Sequence, residues 1–321
     1  MSRSRLERKK RRLRRILKTF VVIGVLSFII LGGAAGYFVF KLADVTSGAN
    51  QELERGDKSE MRQEAVSPSK DNISVLFLGV DDRDGDLSGR TDAMILATFN
   101  KEESSIKMTS IPRDTRVEIP GRSNKDKINH AHAFGGLDLA VETVESLFDI
   151  PVDYYVKLNF QAFIEIVDAL DGVEVDVPFG FTEMDSYDNF DAITIEEGLQ
   201  TLDGEEALAY ARMRKSDPRG DIGRGERQQQ IIKGIINKGA SLSSISSYGD
   251  VLDSIENHIS MNLSFGNLIS LHNYAGALNE IESLSIEGSD RRIGGIYYYD
   301  PHDESIRELS NEFRNHLGLD N

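Results

Sequence analysis

The rhythm of hydrophobic and polar positions changes several times along this 321-residue chain. Phe20–Phe40 runs FVVIGVLSFIILGGAAGYFVF without a single charge. As a helix rising about 1.5 Å per residue it is roughly 31 Å long, enough to span the hydrocarbon core of a bilayer. Residues 41–70 are polar and lack any sustained period, which predicts an extended stalk. From Ile73 the pattern tightens. ISVLFLGV (73–80), AMILATF (93–99) and SIKMTSI (105–111) are short, aliphatic and β-branched runs bounded by Gly, Asp and Pro, the signature of strands. Leu137, Val141, Val144, Leu147 and Phe148 then fall at helical spacing. DYYVKL (153–158) reads as a strand, Phe160, Phe163, Ile164, Val167 and Leu170 as a helix, and VEVDV (173–177) as another strand.

Farther along, Asp203 with Glu206 three residues on predicts a capped helix over 204–213. A further helix starts near Arg224 and runs through IIKGII. Strands are predicted at 283–287 and 294–299, and an amphipathic helix at 304–317. The Asp/Gly-rich stretch 179–198 reads as a long surface loop. Strands interleaved with helices predict an α/β fold, a layered mixed sheet flanked by helices and preceded by one N-terminal transmembrane helix. The domains expected are a basic tail (1–19), an anchor (20–40), a stalk (41–70) and a main α/β domain (71–321).

Charge adds an orientation. Ten Lys/Arg and one Glu lie in residues 1–18, leaving 27 Lys/Arg and 52 Asp/Glu for the rest of a chain whose net charge is −16. Arg14, Arg15 and Lys18 abut the apolar run, and the far side turns acidic at Asp44, Glu52 and Glu54. The positive-inside rule puts the N-terminus in the cytoplasm and everything beyond Lys41 outside the membrane. The run exceeds a signal-peptide core and leads to no clear small-x-small cleavage site, which favours an uncleaved anchor. The basic tail is explained by orientation and by attraction to anionic lipid, so no nucleic-acid partner is expected. The absence of cysteine excludes disulfides, thiolate metal sites and a Cys nucleophile.

Three segments carry chemistry. After the first strand, LGVDDRDGDLSGRTDA holds Asp81 and Asp92 on either side of a loop that also carries Arg83 and Arg90. Two oxygen ligands without His or Cys nearby suit Mg²⁺, with Mn²⁺ as an alternative; a solvated loop of Asp–Arg pairs reads equally well from this segment alone. In SIPRDTRVEIPG, Pro112 ends the third strand and fixes the turn presenting Arg113, with Asp114 and Arg116 adjacent. In ALAYARMRKSDPRGDIGRGERQQQ, Arg212, Arg214, Arg219, Arg224 and Arg227 fall within sixteen residues of an otherwise acidic body. Arg224, Arg227 and Gln228 stand at i, i+3 and i+4, which predicts one shared helical face. Arg in place of Lys favours bidentate contact with phosphate. The combination predicts a clamp for a di-anionic phosphate, with a metal; a network of structural Arg–Asp pairs is the competing reading.

In order, LGVDDR…GRTDAMILATFN, SIPRDTRVEIPG, KINHAHAFGG, VDALDGVEVDV and LDGEEALAYARMR…GRGERQQQ resemble the motifs of the LytR-CpsA-Psr family, across about residues 71–235. The resemblance implies an enzyme of the cell membrane of a Gram-positive bacterium. It would move an anionic glycopolymer such as wall teichoic acid from a polyprenyl-pyrophosphate carrier onto peptidoglycan, at the 6-hydroxyl of N-acetylmuramic acid. It implies Asp81 and Asp92 as Mg²⁺ ligands and Arg83, Arg90, Arg113, Arg212, Arg214 and Arg227 around the pyrophosphate. Arg224 and Gln228 join that set through their helical face. The lipid tail would occupy an apolar pocket that spacing does not assign. Asp171-Gly172 departs from the family's frequent Gly-Gly. For the hydroxyl proton, Asp221 and Asp114 are the candidate bases, with His130 and His132 as alternatives more simply read as structural. A pyrophosphate hydrolase and a non-catalytic lipid-binding regulator are the other functions compatible with these motifs.

Overall fold

A computed structural model describes residues 51–81, 87, 91–239, 255–271, 274 and 281–319. The predicted anchor at Phe20–Phe40, and Arg83 and Arg90, lie outside these residues. Among the described residues no helix is long and apolar enough to cross a membrane.

The strands are β1 (Ile73–Val80), β2 (Thr91–Asn100), β3 (Ser105–Ser110), β4 (Arg116–Val117), β5 (Asp126–Lys127), β6 (Tyr154–Asn159), β7 (Val173–Val177), β8 (Phe181–Glu183), β9 (Ile193–Ile195), β10 (Gly198–Leu202), β11 (Ile259–Met261), β12 (Ile281–Ser285), β13 (Gly288–Ile293) and β14 (Ile296–Pro301). The helices are α1 (His130–Phe148, kinked at Gly135 and Gly136), α2 (Phe160–Ala169), α3 (Gly204–Arg212), α4 (Asp221–Gly239), α5 (Phe265–Leu271) and α6 (Asp303–Leu317).

A mixed six-stranded sheet in the order β11-β6-β1-β2-β3-β12 forms the centre. β1 runs antiparallel to β2 and parallel to β6, β3 is antiparallel to β2, and β12 is parallel to β3. The near-continuous hydrophobicity of β1 follows from burial on both faces. Leu76 and Leu78, with Met94 and Leu96 of β2, pack under α1 and α6, where Phe148 and Phe313 meet edge to face at 5.7 Å. Ile73 and Val75, with Ile95 and Ala97, face the other way, toward Ala162 of α2 and Ile259 and Met261 of β11. A third cluster joins α2, α3 and α4 to β7 and β10 through Val167, Val173, Tyr210 and Ile231.

Two expectations are corrected. Residues 51–70 are no free stalk. Leu53 is buried in the core, Arg55 binds Glu145, and Arg62 binds Asp153 through two nitrogens. The segment's polarity misled because its attachment is made by arginines and backbone instead of an apolar stripe. Nor is 179–198 a plain loop: it holds the β8–β9 hairpin with Phe181 and Ile195 buried. The Asp171-Gly172 turn closes α2 with both residues at positive φ, 55° and 79°, a conformation that Asp tolerates better than most side chains.

Candidate functional site

The strand directions gather the chemistry at one edge of the sheet. β1, β3 and β6 run parallel to one another and β2 opposite. The residues after β1 (Asp81), at the start of β2 (Asp92), after β3 (Arg113) and at the end of β6 (Asn159) therefore converge. The carboxyl ends of strands in an open α/β sheet are where ligand crevices form. Arg113 follows Pro112 in a turn closed by the Thr115 N–H donating to the Pro112 carbonyl at 2.9 Å, and its Nη1 donates to Asp92 Oδ1 at 2.6 Å.

α4 supplies the opposing wall, and two glycines set how close it comes. A Cβ on Gly225 would lie 2.9 Å from the Ser110 side chain, and one on Gly223 would overlap the Asp217 carboxylate at 1.8 Å. Only hydrogen fits on either side of Arg224, so the first turn of α4 presses directly against the end of β3. Gln228, one turn on, accepts from Ser110 Oγ at 3.4 Å.

Arg224 and Gln228 both line the cavity, but Arg227 does not. It is 2 % exposed, donates to Asp217 Oδ2 at 2.6 Å, to the Tyr210 carbonyl at 3.2 Å and to the Met213 carbonyl. The i, i+3, i+4 grouping spans about 100° of helix, and at that width its i+3 member turns toward α3. Arg227 thus ties α4 to the α3–α4 connection, and the expectation that it surrounds a pyrophosphate is corrected. Burial opposes the Asp217 charge, yet the contacts with Arg227 and Arg219 hold its pKa below the usual carboxylate range.

Between the sheet and helices α2 and α4 lies a cavity of about 720 Å³. Its inner walls are apolar: Phe77, Val156 and Leu158 from the sheet, Phe163 from α2, and Ile232 and Ile235 from α4. Its other end is polar, with Asp81, Asp92, Arg113, Arg212, Arg214, Lys215, Arg224 and Gln228. Arg212 lies 4.8 Å over the Phe160 ring and donates to the Asp185 carbonyl at 3.2 Å, which ties the β8–β9 hairpin to the cavity rim. The apolar half was not assigned from sequence. The isoleucine run of α4 was the available signal: Ile232, Ile235 and Ile236 remain half-buried inside a fold that buries Ile231.

The polar end is built for an anion. Burial lowers the pKa of Arg224, and the neighbouring Arg113 and Arg214 lower it further against the opposing pull of Asp221. A cation held below its ordinary range by desolvation and like charge gains most from an arriving anion. Burial also works against Arg113, but its hydrogen bond to Asp92 and the charges of Asp92, Asp114 and Asp221 outweigh it and raise its pKa. The first turn of α4 adds the positive end of a 19-residue helix.

The two proposed bases occupy other positions. Asp114 is 7 % exposed and bound to Lys127 Nζ at 2.6 Å. Asp221 lies between Arg224 at 2.8 Å and Arg214 at 3.2 Å. Neither lines the cavity, so their geometry suits positioning of the arginines better than proton transfer. His130 pairs with Asp126 at 3.0 Å and His132 is buried in α1, both away from the cavity lining.

Asp81 and Asp92 line the same end of the cavity, and among the described residues no group of three or more His, Cys, Asp or Glu forms a metal cage. Two carboxylates at the arginine-rich end of the cavity are a donor set that fits Mg²⁺, which keeps waters and takes few protein ligands.

The model of the LytR_cpsA_psr family matches residues 36–315 of the chain. The polyisoprenyl-teichoic acid–peptidoglycan teichoic acid transferase TagU of Bacillus subtilis (strain 168) is 42% identical over 313 residues, covering 97% of this chain and 98% of its own. The solved structure of TagT bound to LIIa-WTA superposes with a TM-score of 0.71 at 40% identity, over 84% of this chain and 99% of that one. A structure of the family protein YwtF (TagT) with bound octaprenyl pyrophosphate lipid gives a TM-score of 0.66 at 38% identity, over 84% and 99%.

Proposed function

The chain belongs to the LytR_cpsA_psr family, and from that premise we propose that it is a glycopolymer transferase using a polyprenyl-pyrophosphate-linked anionic polymer as donor and peptidoglycan as acceptor. The observation that carries this is one cavity with an apolar interior and an arginine-rich mouth, the shape of a lipid pyrophosphate. A relative of 38% identity binds octaprenyl pyrophosphate and one of 40% binds LIIa-WTA on the same fold. The prenyl chain lies between the sheet and α4, and the two phosphates meet Arg113, Arg212, Arg214 and Arg224 at the mouth.

In the reaction a peptidoglycan hydroxyl, the 6-hydroxyl of N-acetylmuramic acid in this reading, attacks the phosphorus nearer the glycan. A new P–O bond forms, the P–O bond to the bridging oxygen breaks, and polyprenyl phosphate leaves. The hydroxyl proton passes to solvent or to the departing phosphate. Phosphoryl transfer depends mainly on positioning and on neutralising charge over the phosphate oxygens. Arg224 and Arg113 supply fixed positive charge at the cavity mouth, and Asp221 holds Arg214 and Arg224 in place. Arg212 and Arg214 add donors at the rim. Asp81 and Asp92 would hold Mg²⁺, which would supply further neutralisation of phosphate charge. Arg83 and Arg90, between those carboxylates in the sequence, are proposed to complete the donor site. The uncharged run Phe20–Phe40 is proposed as the membrane anchor that puts the domain outside the cytoplasm, beside its lipid substrate.

The test is a transfer assay with the full chain in detergent, polyprenyl-pyrophosphate glycan labelled in the sugar, peptidoglycan oligomers and Mg²⁺. Label on peptidoglycan, lost on chelation of the metal and in Arg113→Ala, is the expected result. Label released only as free sugar phosphate in the presence of acceptor would identify a hydrolase instead.

A further inference from the structure

The donor cavity leaves the acceptor without a site, and the C-terminal β13–β14 hairpin stands where one is needed. The segment carrying Arg113 continues through Asp114 and Thr115 into β4, and β14 docks along it. The Tyr299 N–H donates to the Asp114 carbonyl at 2.9 Å, Thr115 bridges to Tyr299, and Arg116 reaches Asp300 at 3.3 Å. Lys127, which holds Asp114, lies 5.7 Å from the centre of the Tyr298 ring. The hairpin is therefore fastened to the residues next to Arg113, at the polar end and away from the apolar interior.

Its geometry is fixed. Gly294 and Gly295, at φ 59° and 85°, make the tight two-residue turn that suits a twisted hairpin. Tyr299 anchors it by burial and a 2.7 Å bond to the Ile286 carbonyl. Above that anchor Tyr297 and Tyr298 stay half-buried, and Arg292 is exposed directly across from Tyr297. The Tyr297 hydroxyl donates to Asp290 Oδ1 at 2.8 Å. The phenol senses the charges of Asp221 and Asp114 as well as that of Asp290, consistent with its place beside the mouth.

We propose that this hairpin is the acceptor platform, binding a saccharide of peptidoglycan against Tyr297, with Arg292 and Asp290 beside it on the same face of the hairpin. The proposal rests on the reading of the cavity as the pyrophosphate site. An aromatic ring flanked by planar polar groups provides what a sugar needs: an apolar face for its C–H groups and partners for its hydroxyls. Charge separates this occupant from the polymer of the donor. Across 288–301 Asp290 and Asp300 balance Arg291 and Arg292. Arg291 and Arg116 are both spent on Asp300, at 2.6 and 3.3 Å. A polyphosphate chain would need several unspent cations. A sugar carrying an occasional carboxylate needs one, and Arg292 is exposed to meet it.

The experiment titrates a tetrasaccharide muropeptide, released by muramidase, into the full chain in detergent by calorimetry, and separately titrates octaprenyl pyrophosphate. Arg292→Ala and Tyr297→Ala are expected to weaken muropeptide binding about tenfold each. Tyr297→Phe, which keeps the ring, is expected to lose less. Octaprenyl pyrophosphate affinity and the unfolding temperature of Arg292→Ala are expected to match wild type. Unchanged muropeptide affinity in both alanine variants would overturn the proposal. So would variants that weaken only donors carrying a long polymer, which would make the hairpin a donor-glycan site. Failure of wild type to bind octaprenyl pyrophosphate, with muropeptide binding intact and hairpin-dependent, would sink the cavity reading and leave the platform standing.

Discussion

Arg224 and Arg227 are three residues apart in one motif and do opposite jobs. Arg224 is held at the cavity at a cost, its charge disfavoured by burial and by two neighbouring guanidiniums. Arg227 is satisfied by one carboxylate and two carbonyls inside the protein. Removing them should therefore move different observables. Arg224→Ala is expected to weaken octaprenyl-pyrophosphate binding by roughly 10- to 100-fold, the worth of a charge-assisted phosphate contact, with little loss of stability. Arg227→Ala strips the buried Asp217 carboxylate of its shortest ion pair, leaving Arg219 at 3.5 Å, and is expected to cost about 3 kcal/mol in denaturant unfolding. The sequence could not divide these roles, because both residues satisfy the same spacing and only packing against α3 shows which side each takes. Asp114 and Asp221 misled for a related reason. Acidic residues among arginines are read as reactive, and here they are the arginines' counter-charges.

At the scale of elements the sequence was most legible where period and burial agree. β1, β7 and the capping box at Asp203 and Glu206 lie where the pattern puts them. The attached segment 51–70 and the β8–β9 hairpin were hidden because polar side chains make their contacts, and no hydrophobic period marks such contacts. Helix α6 was visible as an amphipathic stripe, but not the titratable group it seats. His316 is bonded between Thr98 Oγ1 and Ser105 Oγ, each at 2.8 Å, and burial, aided by Lys107, pushes its pKa down to about 4 from 6.5. The unfolded chain takes up this proton below pH 6.5 and the folded one only near pH 4, so the unfolded state binds more protons in between. The contribution is fully present above pH 6.5 and is lost as pH falls toward 4, on the order of 3 kcal/mol in total. His316→Gln is expected to flatten that part of the stability profile in denaturant titrations. An unchanged slope would show that other groups set the acid limit.

For the whole molecule, the central sheet divides the labour. One face packs α1 and α6 into a sealed core, and the other leaves room beneath α4 for a lipid. The family motifs mark the mouth of that space because phosphate chemistry demands particular residue types. The interior requires only apolar ones, which the pattern does not distinguish from ordinary core. In the proposed function the cavity beneath α4 holds prenyl chain and pyrophosphate together. The most direct measurement is the affinity of the full chain for prenyl pyrophosphates of increasing length, in wild type, Arg224→Ala and Ile235→Trp. Affinity that climbs with chain length, falls at every length in Arg224→Ala, and loses its length dependence in Ile235→Trp is the predicted result. Affinity indifferent to chain length, or unaffected by either substitution, would contradict it.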